Sequence, residues 1–249
     1  MKISLITASY NNAHRLAPSL ISSLQQTYSS VERIIIDGAS TDDTSKTLEK
    51  YKPYLDKIVS EPDQGIYDAL NKGIRMASGD IVGILHSDDY FADESVLNQV
   101  AKKFNQSDAD FLYGDLCYVR PDKPSQVVRY WKSGGFTRSS LTRGWMPPHP
   151  TVYVRRELFN VFKGYNLHYQ ISADYDWILR LLCNESLKVV YLPKVLVHMR
   201  TGGVSNQSFK NLMRKSSEDW EIIRNHQIGG IRTLFYKNLR KFPQFWTSR

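Results

Sequence analysis

The sequence predicts an α/β protein built on an open, mostly parallel sheet flanked by helices. Three observations carry this. Apolar runs of strand length alternate with amphipathic helical stretches from the first residues onward. The runs are apolar at nearly every position, as strands covered on both faces must be. The connections between them are short and rich in Asp, Asn, Gly and Ser, the residues of turns and helix caps. At 249 residues the chain has room for one large domain with a small appendage.

Taken in order, "KISLITAS" reads as the first strand, and "LAPSLISSLQQ" as a helix with Leu16, Leu20 and Leu24 on one stripe. "ERIIIDG" is a second, nearly all-apolar strand, and "ASTDDTS" is cap chemistry opening a short helix through "KTLEKYK". "DKIVSE" is a third strand. "GIYDALNKGIRMA" is a helix expected to turn Ile66, Leu70, Ile74 and Ala77 inward. "DIVGILH" is a fourth strand, and "ESVLNQVAKKF" and "ADFLYGD" continue the alternation. Right-handed crossovers between parallel strands follow from this order. No internal repeat or low-complexity linker interrupts it.

Composition narrows the function classes. Hydrophobic content of 41% and charged content of 23% are those of a soluble globular protein. No apolar run is long enough to span a bilayer, and "MKISLITASYNN" turns polar too soon for a signal peptide. Cys117 and Cys183 lie far apart without metal spacing and are expected to be buried reduced thiols of a cytoplasmic protein. The net charge of +8 is uneven: residues 200–249 hold ten Lys/Arg against three acidic residues, and the first 199 hold 23 against 22. The basic excess therefore belongs to one local surface, and no nucleic-acid-binding motif accompanies it.

In open α/β sheets, ligands collect outside the carboxyl ends of the strands. There this chain carries "ASYNN", "DGASTDD", "EPDQG" and "HSDD", four polar loops expected to converge on one edge. Asp37 either caps a turn or accepts a hydrogen bond from a ligand such as a pyrimidine N–H. Thr7, Ser9 and Tyr10 can offer hydroxyls and an aromatic face to the same base. Asp68 shares a helix face with Asn71, Lys72 and Arg75; i,i+4 pairing explains the two basic residues, while Asp68 lies nearer the ligand edge. Asp88 and Asp89 end an apolar strand as adjacent like charges, an arrangement that raises their pKa unless a cation or donors compensate. Oxygen ligands of this kind suit Mg²⁺ or Mn²⁺ shared with a diphosphate. His86, two residues before Asp88, is either a structural histidine or a nitrogen donor on the same strand face.

The fragments "TASYN", "DGASTDDT", "PDQGIYDALNKGI" and "GDIVGILHSDD", in this order over residues 3–90, resemble the inverting family 2 glycosyltransferases, and a second similar block lies near 147–205. The resemblance implies a GT-A (Rossmann-like) fold, a nucleotide-sugar donor and a divalent metal, Mn²⁺ or Mg²⁺, at a D-x-D motif. Asp37 then corresponds to the carboxylate that contacts the nucleobase, and Thr7 and Tyr10 to the N-terminal nucleotide loop. Asp88 and Asp89 correspond to the D-x-D end that handles ribose, diphosphate and metal. His86 departs from the Asp or Asn of many relatives, which leaves the principal metal ligand between Asp88 and Asp89.

In the second half, Asp174 begins an amphipathic helix with Trp177, Ile178, Leu181 and Leu182, where an acidic residue is also a common cap. By the same resemblance "SADYDW" matches the motif whose aspartate is the general base. Asp174 takes that role, with Asp176 as the fallback and Ala173 where relatives often carry Glu. Trp145 and His149, in "WMPPHPT", are candidates for the acceptor pocket, and His198 and Arg200, before a Gly-Gly pair, for the donor diphosphate or metal. The tail "GGIRTLFYKNLRKFPQFWTSR" mixes aromatics with Arg and Lys and contains no acid. It reads either as an amphipathic helix on an anionic membrane or as a segment docked on the domain.

The expected organisation is a catalytic domain over 1–225, with a nucleotide-sugar half (1–115) and an acceptor half (116–225), followed by a tail over 226–249. The expected activity is metal-dependent inverting transfer from a nucleotide-sugar, a UDP-sugar by default, to a glycan or lipid-linked glycan, on the inner face of the cytoplasmic membrane. A sugar-1-phosphate nucleotidylyltransferase would want glycines in the first loop that "TASYNNAHR" lacks. An inactive glycan- or nucleotide-binding protein would not need Asp37, Asp88, Asp89 and Asp174 together.

Overall fold

The computed structural model describes residues 1–202, 209–240 and 244. The strands are β1 (Ile3–Ser9), β2 (Val31–Asp37), β3 (Lys57–Ser60), β4 (Ile81–Ile84), β5 (Tyr90–Phe91), β6 (Phe111–Val119), β7 (Val127–Trp131), β8 (Tyr153–Arg155) and β9 (Val189–Arg200). The helices are α1 (Ala13–Leu24), α2 (Thr44–Tyr51), α3 (Ile66–Met76), α4 (Val96–Ser107), α5 (Arg138–Leu141), α6 (Glu157–Val161), α7 (Ala173–Leu182), α8 (Phe209–Asn225) and α9 (Ile231–Leu239).

All strands join one sheet in the order β3-β2-β1-β4-β8-β6-β9-β5, with β7 paired to β6. β1 is parallel to β2 and β4, and β2 to β3. β8 is antiparallel to both β4 and β6, so β6 and its parallel neighbour β9 run in the direction of β1. β5 and β7 run against it. The sheet is therefore mostly parallel, as the N-terminal alternation requires. The alternation could not show that β4 and β6 are kept apart by β8, a strand from much later in the chain. The expected boundary at 115/116 falls inside β6.

Each face of the sheet has its own core. Ile6, Ala8, Ile34 and Ile36 pack with Leu70 and Ile74 of α3, in a cluster that continues through Phe111 and Tyr113 to Trp177, Ile178 and Ile222. Ile3, Leu5, Ile81, Leu112 and Leu116 pack on the other face with Val96, Val100 and Phe104 of α4. Ile35 joins Leu16, Leu20 and Leu48 of the first two helices. Alternate residues of one strand thus serve opposite cores, which explains why Ile34, Ile35 and Ile36 run together without a polar position. Two glycines permit close approach. A Cβ at Gly73 would stand 2.5 Å from Ile6 Cγ2, and one at Gly83 would enter the ring of the fully buried Tyr153.

Two expectations are corrected. Ile66 is 44% exposed: it is the first residue of α3, next to Gly65, and the inward stripe is Ala69, Leu70, Gly73 and Ile74. Cys117 is a buried free thiol, but Cys183 is exposed because it stands just past the end of α7. The Gly-Gly segment after β9 reaches Gly203, and 203–208 lie outside the described residues, as do 241–243 and 245–249 of the tail. Among the described residues, no helix is long and apolar enough to cross a membrane.

Gly83→Ala is expected to destabilise the protein by about 1–3 kcal/mol, because the added methyl overpacks a buried ring that has nowhere to move. Urea denaturation monitored by circular dichroism measures this, and an unchanged midpoint would refute the packing account.

Candidate active site

The register places the polar loops together. Ser9, Asp37 and Ser60 are neighbours across β1, β2 and β3. Asp37 is 2% exposed; its Oδ2 accepts from the Ser60 hydroxyl at 2.6 Å and the Ser40 amide at 3.0 Å, and its Oδ1 from the Ser40 hydroxyl. The carboxylate is thus held rigidly at the strand edge. Thr7 and Ser9 are buried beside it, and the Ser9 hydroxyl has no partner among the described residues. Tyr10 is 64% exposed, and a Cβ at Gly38 would meet both its ring and Asp63 Oδ2, at 3.2 and 2.5 Å. Tyr10 and Asp63 therefore converge over Gly38. Asp63 was missed as a candidate although it lies in the quoted "PDQG" loop; its spacing says turn, and only the fold brings it to Tyr10.

The first loop is laced to its neighbours. The Asn11 amide donates to the Ser40 hydroxyl (2.8 Å), and Asn11 Oδ1 accepts from the Thr41 amide (2.8 Å). Asn12 Nδ2 donates to the Ser87 hydroxyl at 2.9 Å, and Ser19 to the His86 carbonyl at 3.0 Å, tying the start of α1 to the loop after β4.

In that loop the two aspartates diverge. Asp88 keeps 23% of its side chain exposed, with Arg15 Nη1 at 3.9 Å. Asp89 is fully buried, and neither carboxylate oxygen has a hydrogen-bond partner among the described residues. Burial, and then the charge of Asp88, push its pKa well above the ordinary carboxylate range, with Arg200 offsetting only part. Arg200 is itself nearly buried; its Nη1 donates to the Asp88 carbonyl at 3.0 Å and its guanidinium lies 5.1 Å from the Tyr90 ring centre. His198, across the β5–β9 pair from Tyr90, meets that ring edge-on at 5.3 Å.

The second half closes the site. The rings of His86 and His149 lie 5.6 Å apart. Burial lowers the pKa of His86, against the raising charges of Asp88 and Asp174, both close enough to act on it. His149 is brought down to about 4 by burial, with Asp174 raising and His86 lowering it. Burial thus disfavours the protonated form of both histidines. His149 Nε2 is 2.8 Å from the Tyr165 hydroxyl, and His86 Nδ1 is buried without a partner among the described residues. Asp174 Oδ1 accepts from the Tyr175 amide at 2.9 Å and lies 3.2 Å from the Tyr67 hydroxyl, which donates to the Ile171 carbonyl at 2.7 Å.

Other candidates stand apart. Trp145 is 6% exposed, its indole N–H spent on the Ser133 carbonyl at 2.7 Å and its rings packed on Tyr113 and Phe136; these contacts make it a core residue. Asp68 Oδ2 accepts from the Gln64 amide at 3.1 Å and pairs with Lys72 at 3.7 Å, so its carboxylate serves the start of α3. Asp176 is 7% exposed and engaged by Arg180 and His226, at 3.0 and 2.9 Å. The position of Asp174 depends on a residue that reasoning from sequence did not reach. Glu218 of α8 accepts from the amides of Gln170, Ile171 and Ser172 at 3.0, 2.9 and 2.8 Å, clamping the approach to α7.

As a test of metal fit, Asp88 is one partly exposed carboxylate two residues after His86, whose Nδ1 is orphaned, and no group of three or more His, Cys, Asp or Glu able to hold a metal exists among the described residues. Such a sparse donor set fits Mg²⁺ or Mn²⁺, which keep waters and rely on substrate phosphates.

The model of the family described as "Glycosyl transferase family 2" matches residues 4–169. A PGL/p-HBAD biosynthesis glycosyltransferase of Mycobacterium bovis is 30% identical over 208 residues, covering 82% of this chain and 78% of that protein. Among solved structures, Staphylococcus aureus TarS 1-349 in complex with UDP-GlcNAc superposes with a TM-score of 0.70 at 19% identity, over 91% of this chain and 65% of that one. The mannosyltransferase PcManGT of Pyrobaculum calidifontis, in complex with GDP-Man and Mn²⁺, gives 0.68 at 19% identity, over 96% and 69%. Both structural likenesses establish the GT-A fold.

Glu218→Ala is expected to cost about 1.5–3 kcal/mol, the range for hydrogen bonds to a charged group. Amide exchange at residues 170–176 should accelerate with it. A variant as stable as the parent, with unchanged exchange there, would remove the clamp from this account.

Proposed function

Because the chain belongs to glycosyl transferase family 2, we propose that it is a metal-dependent inverting glycosyltransferase. In this reading it moves a sugar from a nucleotide-diphosphate donor, a UDP-sugar by preference, to a hydroxyl of a glycan, borne on a lipid at the inner face of the cytoplasmic membrane. The single observation that carries it is a run of contacts joining segments distant in the chain. The Tyr67 hydroxyl lies 3.2 Å from Asp174 and its ring packs on Tyr165, Tyr165 hydrogen-bonds His149, and the His149 ring lies 5.6 Å from that of His86, two residues before Asp88. A carboxylate suited to a cation and a carboxylate suited to a base thus belong to one connected cluster of side chains. The donors named for the two structural neighbours, UDP-GlcNAc and GDP-Man, support the nucleotide-sugar class, and the Mn²⁺ of the second supports the metal.

Asp37, Thr7, Ser9 and Tyr10 would receive the base and ribose, with Asp68 farther along the same edge. Asp88 would hold Mn²⁺ or Mg²⁺ together with waters and the diphosphate, with Asp89 behind it beside Arg200 and His198. When bound, the cation offsets the charge that gathers on the departing diphosphate. Asp174 takes the proton of the acceptor hydroxyl as its oxygen bonds to the anomeric carbon and the bond from that carbon to the diphosphate oxygen breaks. The nucleoside diphosphate leaves with the electron pair, and the configuration inverts. The bonds of Asp174 to Tyr175 and Tyr67 both fall on Oδ1, so Oδ2 remains to take the proton. Neutral His149, tied to Tyr165, would border the acceptor without competing for that proton. The division into a nucleotide-sugar half before about residue 115 and an acceptor half after it follows the same assignment.

Asp174→Asn is expected to lower transfer about 10²- to 10⁴-fold, the usual worth of a positioned base, with donor affinity within a few-fold of the parent. Full activity in that variant would take Asp174 out of the role.

Calorimetric titration of UDP, GDP and dTDP, with Mn²⁺ and then with EDTA, tests the donor side. One nucleotide is expected to bind only with metal, and Asp88→Ala should abolish that binding. No nucleotide binding under either condition would sink the transferase reading in favour of an inactive glycan-binding protein.

A further inference from the structure

The last described helix faces the wrong way for a helix that merely completes a core. The side of α9 turned toward the protein is held by polar anchors beside one apolar residue, Leu234, which packs partly buried against the core. The Thr233 hydroxyl donates to the Thr142 carbonyl at 2.7 Å, and buried Lys237 pairs with Asp219 at 2.7 Å while its ammonium lies 3.2 Å from the centre of the Tyr175 ring. Gly144 makes the fit possible, since a Cβ there would strike the Lys237 backbone. The side turned to solvent is apolar. Ile231, Phe235 and Leu239, spaced four apart and therefore on one stripe, are 73%, 61% and 40% exposed, and Tyr236 beside them is 48% exposed. A helix held by a buried ion pair, with four of its five large apolar residues outward, leaves exposed most of the area that ordinarily stabilises such a helix.

We propose that this face is a membrane-contacting surface, in which Ile231, Phe235, Tyr236 and Leu239 enter the headgroup region of an anionic bilayer. The charge around the stripe selects that occupant. Arg232, Arg240 and Arg143 are exposed, Arg240 Nε donating to the Arg143 carbonyl at 2.9 Å, and residues 226–249 contain no acid. Pairing with a second copy across this stripe would bring like charges together with no carboxylate from residues 226–249 to offset them, whereas anionic headgroups neutralise them. An amphipathic helix lying in the interface is stabilised by apolar burial and basic flanks of this kind. The surface also lies close to the chemistry: Lys237 of α9 touches Tyr175, the residue after Asp174. A bilayer on the outer face of α9 would therefore lie about one helix diameter, roughly 10–12 Å, from α7. The inference that this delivers a lipid-borne acceptor rests on the transferase reading; the membrane contact itself does not.

The test is co-sedimentation of the full chain with vesicles of phosphatidylcholine alone and of phosphatidylcholine with phosphatidylglycerol, alongside light scattering without lipid. The parent protein is expected to partition at least about ten-fold better onto the anionic vesicles, less so at high salt. Both Ile231→Ser/Phe235→Ser/Leu239→Ser and Arg232→Gln/Arg240→Gln should lose about ten-fold of that partition, with circular dichroism spectra and thermal midpoints like the parent's. Absence of binding to either vesicle by the parent, or variants that bind as the parent does, would overturn the proposal. So would a dimer in light scattering that the serine variant converts to monomer, which would assign the stripe to a second copy. None of these readouts uses sugar transfer or nucleotide binding, so a failed transferase reading leaves the membrane result standing, and the reverse.

Discussion

Parallel pairing of β1 between β2 and β4 is the constraint on which the rest of the molecule depends. It aligns Ser9 with Asp37 and Asp37 with Ser60, and carries the chain beyond Ile84 to the aspartates at the same edge. Parallel strands need crossovers, and the crossovers place α1 and α2 on one face and α3 on the other. Both faces are then buried, so Ile34, Ile35 and Ile36 are all taken up by packing. The polar residues that end these strands are left to meet ligands, because their own strands offer nothing further to pair with.

The second constraint acts at long range. α7 carries Asp174 but does not choose its own position. Glu218 and Asp219 of α8 grip the turn before it, through three amides and the Ser172 hydroxyl. Asn71 of α3 brackets Tyr165 through both its backbone amide and its carbonyl. The amide of Asn71 that looks like a solvated helix residue is thus a tie between the halves, and Tyr67, one helical turn earlier, reaches Asp174 from the same helix. One helix, α3, therefore positions both Asp174, the base of the proposed reaction, and the tyrosine that holds His149.

The adjacent aspartates resolve into two different groups. Asp88 stays partly exposed, with Arg15 at 3.9 Å, where in the proposed reaction a cation and a diphosphate would offset its charge. Asp89 turns inward, where burial beside a like charge favours its protonated form and Arg200 leans on it from β9. The like-charge repulsion that drew attention to "HSDD" is relieved by separating the pair between two environments rather than by asking one cation to serve both.

Much of this was legible in one dimension. The strand and helix order of the first 110 residues and the convergence of four loops on one edge follow from local signals, apolar runs and turn residues, while the roles suggested for Asp37, Asp88 and Asp174 rest on the family resemblance of the motifs around them. Those signals are short-range, and they describe elements that chain neighbours complete. Only the tertiary structure decided what distant segments do. It inserted β8 between β4 and β6, put Trp145 in the core, spent Asp68 on its own helix, brought Asp63 to Tyr10, and set Glu218 under α7. It also turned the apolar stripe of α9 outward, against the amphipathic pattern that would have buried it. The reason is the same in each case: a residue's partner is set by the packing of segments dozens of positions away, and periodicity along the chain carries no record of which segments those are.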